Sequence, residues 1–170
     1  MIPSELDSLF SQYYNKAKSV DFPAFLGEKT TCTPFNATPY ITHLSTFLQE
    51  HVEHTRGLFA TRLNAAIMAL DEAGICVEIV LVGGSFLDSK VIPGDLDCVL
   101  FYSLKNEQTT LDLQQWQLQR KSEGLDARLI PMDTSPLLTL KAALFFAVLY
   151  TQRKNLEGIP TGLILIDCKR

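Results

Sequence analysis

The stretch that decides the fold runs Leu81-Val-Gly-Gly-Ser-Phe-Leu-Asp-Ser-Lys-Val-Ile-Pro-Gly-Asp-Leu-Asp97. The residues before it, Ile75-Cys-Val-Glu-Ile-Val80, are rich in β-branched side chains, and the run stops abruptly at Gly83-Gly84. That pattern predicts a buried strand. Leu96 to Tyr102 (LDCVLFY) predicts a second strand, and the connection is too long for a tight hairpin but suits a wide functional loop. Glycine at a strand end lets backbone N–H groups approach an anion closely, because no Cβ intervenes. Ser85 beside it adds a hydroxyl that can reach a phosphate oxygen. Alternation along a strand puts Asp95 and Asp97 on one face, where two like charges need a cation between them. Hard cations such as Mg²⁺ take oxygen ligands and are held by one or two carboxylates plus substrate phosphates. A phosphate cradle therefore faces a metal clamp.

Downstream, Asn106 to Lys121 has helical composition, with Leu111, Leu113, Trp116 and Leu118 as its apolar positions, and Gly124 ends it. Leu125 to Met132 predicts a third strand. Asp133-Thr-Ser-Pro136 opens a strongly apolar helix through Tyr150, read as buried, and Gly162 to Cys168 predicts a last short strand. Upstream, Ser4 to Val20 reads as a helix and Asp21 to Thr38 as a loop. Thr38-Pro39 gives a helix cap followed by proline at the first helical position, and the apolar stripe continues through Ile41, Leu44, Phe47, Leu48 and Val52. Gly57 breaks or ends that helix, and a second runs from Leu58 to Gly74; a single kinked helix is the alternative. The simplest architecture is one α/β (α+β) domain over residues 1–170, with a mainly helical part (1–74) and a sheet-bearing core (75–170).

A strand, Gly-Ser, a loop of this length and then Asp-x-Asp opening the next strand resembles the polymerase-β-type nucleotidyltransferase superfamily, and within it small bacterial nucleotidyltransferase-like proteins. The matching positions are Gly84-Ser85-Phe86, Lys90, Pro93 and Asp95-Leu96-Asp97, and the likeness is strongest over residues 75–103. The resemblance implies a mixed sheet flanked by helices, Mg²⁺ or Mn²⁺ on Asp95 and Asp97, and a nucleoside triphosphate such as ATP on Gly84 and Ser85. It also implies a third carboxylate on a later strand, which in active members helps activate the attacking hydroxyl. Asp126 is the candidate and Asp133 the runner-up, although Asp133 sits where a helix cap is expected. Lys90 either contacts the triphosphate or occupies a loop tip. The implied activity is transfer of a nucleoside monophosphate to a hydroxyl acceptor. A non-catalytic binding or regulatory module, antitoxin-like or accessory, is the second reading, because fold does not imply function.

Composition narrows the partners. The chain has 170 residues, 46% hydrophobic and 20% charged, with a formal charge of −4. Fifteen basic residues against nineteen acidic ones do not supply the many phosphate contacts that a strong grip on long nucleic acid needs. Cys32, Cys76, Cys98 and Cys168 are widely spaced, which reads as reduced thiols in a cytoplasmic protein; Cys76 and Cys98 are expected as near neighbours on the two central strands. No apolar run is long enough to span a bilayer, so no membrane partner is expected. His43, His51 and His54 read as surface or half-buried side chains, and Trp116 as a core anchor. Apolar content in the N-terminal helices makes a homodimer an option.

Overall fold

The structure is a computed structural model and describes residues 3–106, 109–152, 154 and 158–169. In chain order the elements are α1 (Pro3–Lys18), β1 (Tyr40–His43), α2 (Leu44–Glu50), α3 (His54–Glu72), β2 (Ile75–Gly83) and β3 (Leu96–Leu104). They continue with α4 (Leu113–Ser122), β4 (Leu125–Pro131), α5 (Pro136–Thr151) and β5 (Ile164–Asp167). Among the described residues the strands form one mixed sheet in the order β1-β5-β2-β3-β4. β2 runs antiparallel to β3 and to β5, whereas the β1–β5 and β3–β4 pairs are parallel. The expected mixed sheet flanked by helices is what the chain forms.

Strand alternation sorts the side chains onto two faces. Val80, Val82, Cys98, Leu100, Leu125, Ala127, Ile164 and Ile166 point to the larger core, which they share with Leu63, Leu70 and Trp116 from the helices. Trp116 is a core anchor, as expected. The opposite face carries Leu81, Val99, Phe101 and Leu163, and α5 lies across it with Tyr150, Phe146 and Ala147.

Four readings are corrected. Thr38-Pro39 is a cis peptide and does not start a helix; Tyr40 to His43 is a strand paired with β5. Its alternating burial, with Tyr40 and Thr42 inward, follows from a partner more than 120 residues away that local periodicity cannot reveal. Gly57 lies inside α3, and the break falls at 51–53; a Cβ at Gly57 would meet the Val52 backbone, so the glycine lets the chain turn back closely. The helix expected from Asn106 begins at Leu113, where the Asp112 carboxylate accepts from Gln114 N and Gln115 N, both at 3.0 Å. Glu107 and Gln108, within that expected helix, lie outside the described residues. Finally, α5 is not buried: only Tyr150 is, while Leu137, Leu144 and Val148 are well exposed.

Candidate functional site

The site lies where β2 ends and β3 and β4 begin, on the face that α5 covers. β2 stops at Gly83, and Gly84 to Leu87 form a single 3-10 turn, all of it buried. Gly84 has φ +71°, a left-handed conformation that side chains rarely adopt. A Cβ built there would collide with the Asp97 carboxylate, so the missing side chain is what lets the turn close onto β3. Gly83 has extended backbone and is constrained by packing alone, because a Cβ there would meet Tyr150 Cβ and Leu163 Cδ2. Two glycines therefore serve two contacts: one with the acidic strand, one with α5.

Register brings the carboxylates into line. Asp97 pairs with Gly83 on one side and with Asp126 on the other. Since β3 and β4 are parallel, paired residues share a face, and Asp97 and Asp126 are cross-strand neighbours. Asp95 is half-buried in the bend just before β3, outside the strand, so the alternation expected to align it with Asp97 does not extend to it. Lys121 Nζ lies 3.2 Å from Asp126 Oδ2 and Arg128 lies 3.4 Å from Oδ1. Asp126 is thus the hub of a three-residue charge cluster. Asp133, the runner-up, accepts from Leu104 N at 2.9 Å, while the cap of α5 is Ser135, whose oxygen accepts from Leu138 N.

Buried neighbours register the charge of the pair. Burial pushes the Cys98 thiol well above its ordinary range, and Asp97 and Asp126 push it further. Tyr150 is raised first by burial, then by Cys98, Asp97 and Asp126, with Arg128 opposing. Burial thus favours the protonated thiol of Cys98 and the protonated hydroxyl of Tyr150. Cys76 is not beside Cys98: it pairs with Ser103, whereas Cys98 pairs with Val82 at the other end of the ladder.

Sequence reading missed the support beneath the loop. Arg56, in the first turn of α3, donates to Phe86 O at 2.8 Å, to Val91 O at 2.8 Å and to Asp88 O. One guanidinium thus gathers three carbonyls spread over residues 86–91. Asp88 is 3% exposed; one oxygen accepts from Lys90 N at 3.0 Å, and the other is buried without a hydrogen bond among the described residues. Phe86 stacks edge-on with His51, ring centroids 4.9 Å apart, and against Phe47 at 5.7 Å. Only an arginine at the start of a helix hinted at this. Lys90 itself is exposed on the turn that follows. His51 is half-buried, whereas His54 is exposed.

Among the described residues, no three His, Cys, Asp or Glu side chains are grouped as a ready-made metal cage. A cation that arrives with phosphate needs only one or two carboxylates, because the nucleotide supplies the other oxygens. Asp97 beside Asp126, with a glycine cradle pressed against Asp97, fits that kind of cation. No helix among the described residues is long and apolar enough to cross a membrane. No curated protein and no solved structure matches the chain. Residues 35–167, which span all five strands and this site, match a family of unknown function (DUF6932), and the chain belongs to that family.

Proposed function

We propose that the protein is a small metal-dependent nucleotidyltransferase, moving a nucleoside monophosphate from a triphosphate to a hydroxyl acceptor. The observation that carries this reading is the closure of Gly84 onto Asp97 with Asp126 in register beside it. Gly84 and Ser85 offer backbone N–H groups and a hydroxyl to the phosphates. Asp97 and Asp126 would hold Mg²⁺ or Mn²⁺ together with the triphosphate oxygens, Asp95 lying in the bend two residues before Asp97, and the ion would supply electrostatic stabilisation of the oxygens that enter and leave phosphorus. Asp126 accepts the proton of the acceptor hydroxyl as its oxygen bonds to the α-phosphorus and pyrophosphate departs. Lys121 and Arg128 orient that carboxylate, and Lys90 on the neighbouring turn is within the same loop system.

A second reading has its own support. Lys121 and Arg128 already balance Asp126, an arrangement that also suits a non-catalytic module binding a nucleotide or a regulatory partner. Incubation with each α-labelled nucleoside triphosphate plus Mg²⁺ or Mn²⁺ separates the two. The enzyme transfers label to protein, RNA or an extracted metabolite, and Asp97→Asn abolishes transfer while the circular dichroism stays native. Calorimetric Mg·ATP binding that is equal in wild type and Asp97→Asn would sink both the transfer chemistry and the site.

A further inference from the structure

α5 is apolar on every side, yet the sheet covers only one of them. A helix hydrophobic all round is ordinarily buried on all faces. Leu137, Leu140, Leu144, Phe145, Val148 and Leu149 are between 47% and 74% exposed. Elsewhere the exposed large apolar side chains are scattered, as at Val20, Val52, Leu58, Met68 and Leu118, which is ordinary for a soluble surface. On α5 they are contiguous. Residues 137, 141, 144 and 148 follow the alternating four- and three-residue spacing of a helix-pairing seam, and all four are exposed.

We propose that this face docks on the same face of a second copy of the chain, forming a two-fold dimer through antiparallel α5 helices. The exposed apolar area of the six side chains is roughly 700 Å², close to the ~800 Å² that one partner contributes to a standard interface. Lys141 is the one charged residue in α5, and its long stem lets the ammonium reach the rim while the seam closes. A two-fold contact of this kind pairs Leu137 of one copy with Val148 of the other, so the patch needs no second complementary surface. A lipid surface fits less well: interfacial helices carry a basic polar face, whereas α5 has one lysine and the chain is net −4.

Sedimentation velocity of the full chain across micromolar concentrations tests this. The expected species has twice the 19.0 kDa chain mass, and Leu144→Lys with Val148→Lys reduces it to a single chain, raising the dissociation constant at least ~100-fold on loss of the apolar seam. If that variant fails to fold, Leu144→Cys in a Cys32→Ser background decides. A short bismaleimide should then give a covalent dimer that Cys32→Ser alone does not. A single-chain mass throughout the range overturns the proposal, as does a dimer indifferent to both lysines or a failure of Leu144→Cys to cross-link. Co-flotation of a monomer with phosphatidylcholine–phosphatidylserine vesicles would also overturn it, naming lipid as the occupant. The outcome is independent of whether the protein transfers nucleotides.

Discussion

At the scale of single residues, Gly84 carries the tightest constraint. Gly84→Ala must place a Cβ against the Asp97 carboxylate while holding a left-handed φ, which costs about 1–2 kcal/mol in backbone terms alone. Urea unfolding should show a loss of about 2 kcal/mol or more; an unchanged midpoint would mean the turn opens freely. His51 sets a pH dependence. Burial lowers its pKa from 6.5 to about 4, with Glu50 opposing and Lys18 and Arg56 adding to the shift. Between those values the unfolded chain binds the proton and the folded chain does not, so stability is lost as pH falls from 6.5 towards 4. Urea midpoints across this window should drop more for wild type than for His51→Leu. Identical slopes would show that the ring titrates freely in the folded state.

At the scale of elements, the loop between β2 and β3 is organised from outside itself. α3 lends Arg56, and α2 with the residues after it lends Phe47 and His51, which pack on Phe86. Arg56→Ala removes three charge-assisted bonds and leaves the buried Asp88 carboxylate without a nearby cation, for an expected loss of about 2–4 kcal/mol. Arg56→Lys should rescue little of this, because one ammonium cannot span three carbonyls as the planar fork does. Amide exchange over residues 84–91 is the readout, and protection equal to wild type in Arg56→Ala would show the loop holds itself. α4 and α5 were legible as helices from composition, but the start of α4 at the Asp112 cap and the exposure of α5 were not. Apolar content says that a helix seeks cover; it does not say which molecule provides it.

At the scale of the whole molecule, β5 joins the two halves. It lies between β1 and β2, so the last strand in the sequence links the N-terminal segment to the sheet-bearing core. Leu163 N donates to Thr38 Oγ1 at 2.6 Å, and Gly162 N donates to Phe22 O at 2.7 Å. A Cβ at Gly162 would strike Phe22 O, so the chain passes there only as glycine. Ile164 is fully buried in this strand. Ile164→Ala should cost about 2–5 kcal/mol from lost burial and a cavity, and should unfold both halves in one transition. Separate transitions by far-UV circular dichroism and Trp116 fluorescence would show that the halves are independent.

Local chemistry determined much of this protein. The β-branched run before Gly83, the caps at Asp112 and Ser135, and the Gly84-Ser85 and Asp95-x-Asp97 pairs are short-range patterns, and the elements they specify form where those patterns lie. Asp126 could be named from its strand, but only the parallel register of β4 on β3 put it beside Asp97. The strand at Tyr40, the arginine beneath the loop and the uncovered face of α5 came from tertiary structure alone. Each depends on a partner distant in sequence, and a side chain's spacing along the chain carries no record of what it meets across space.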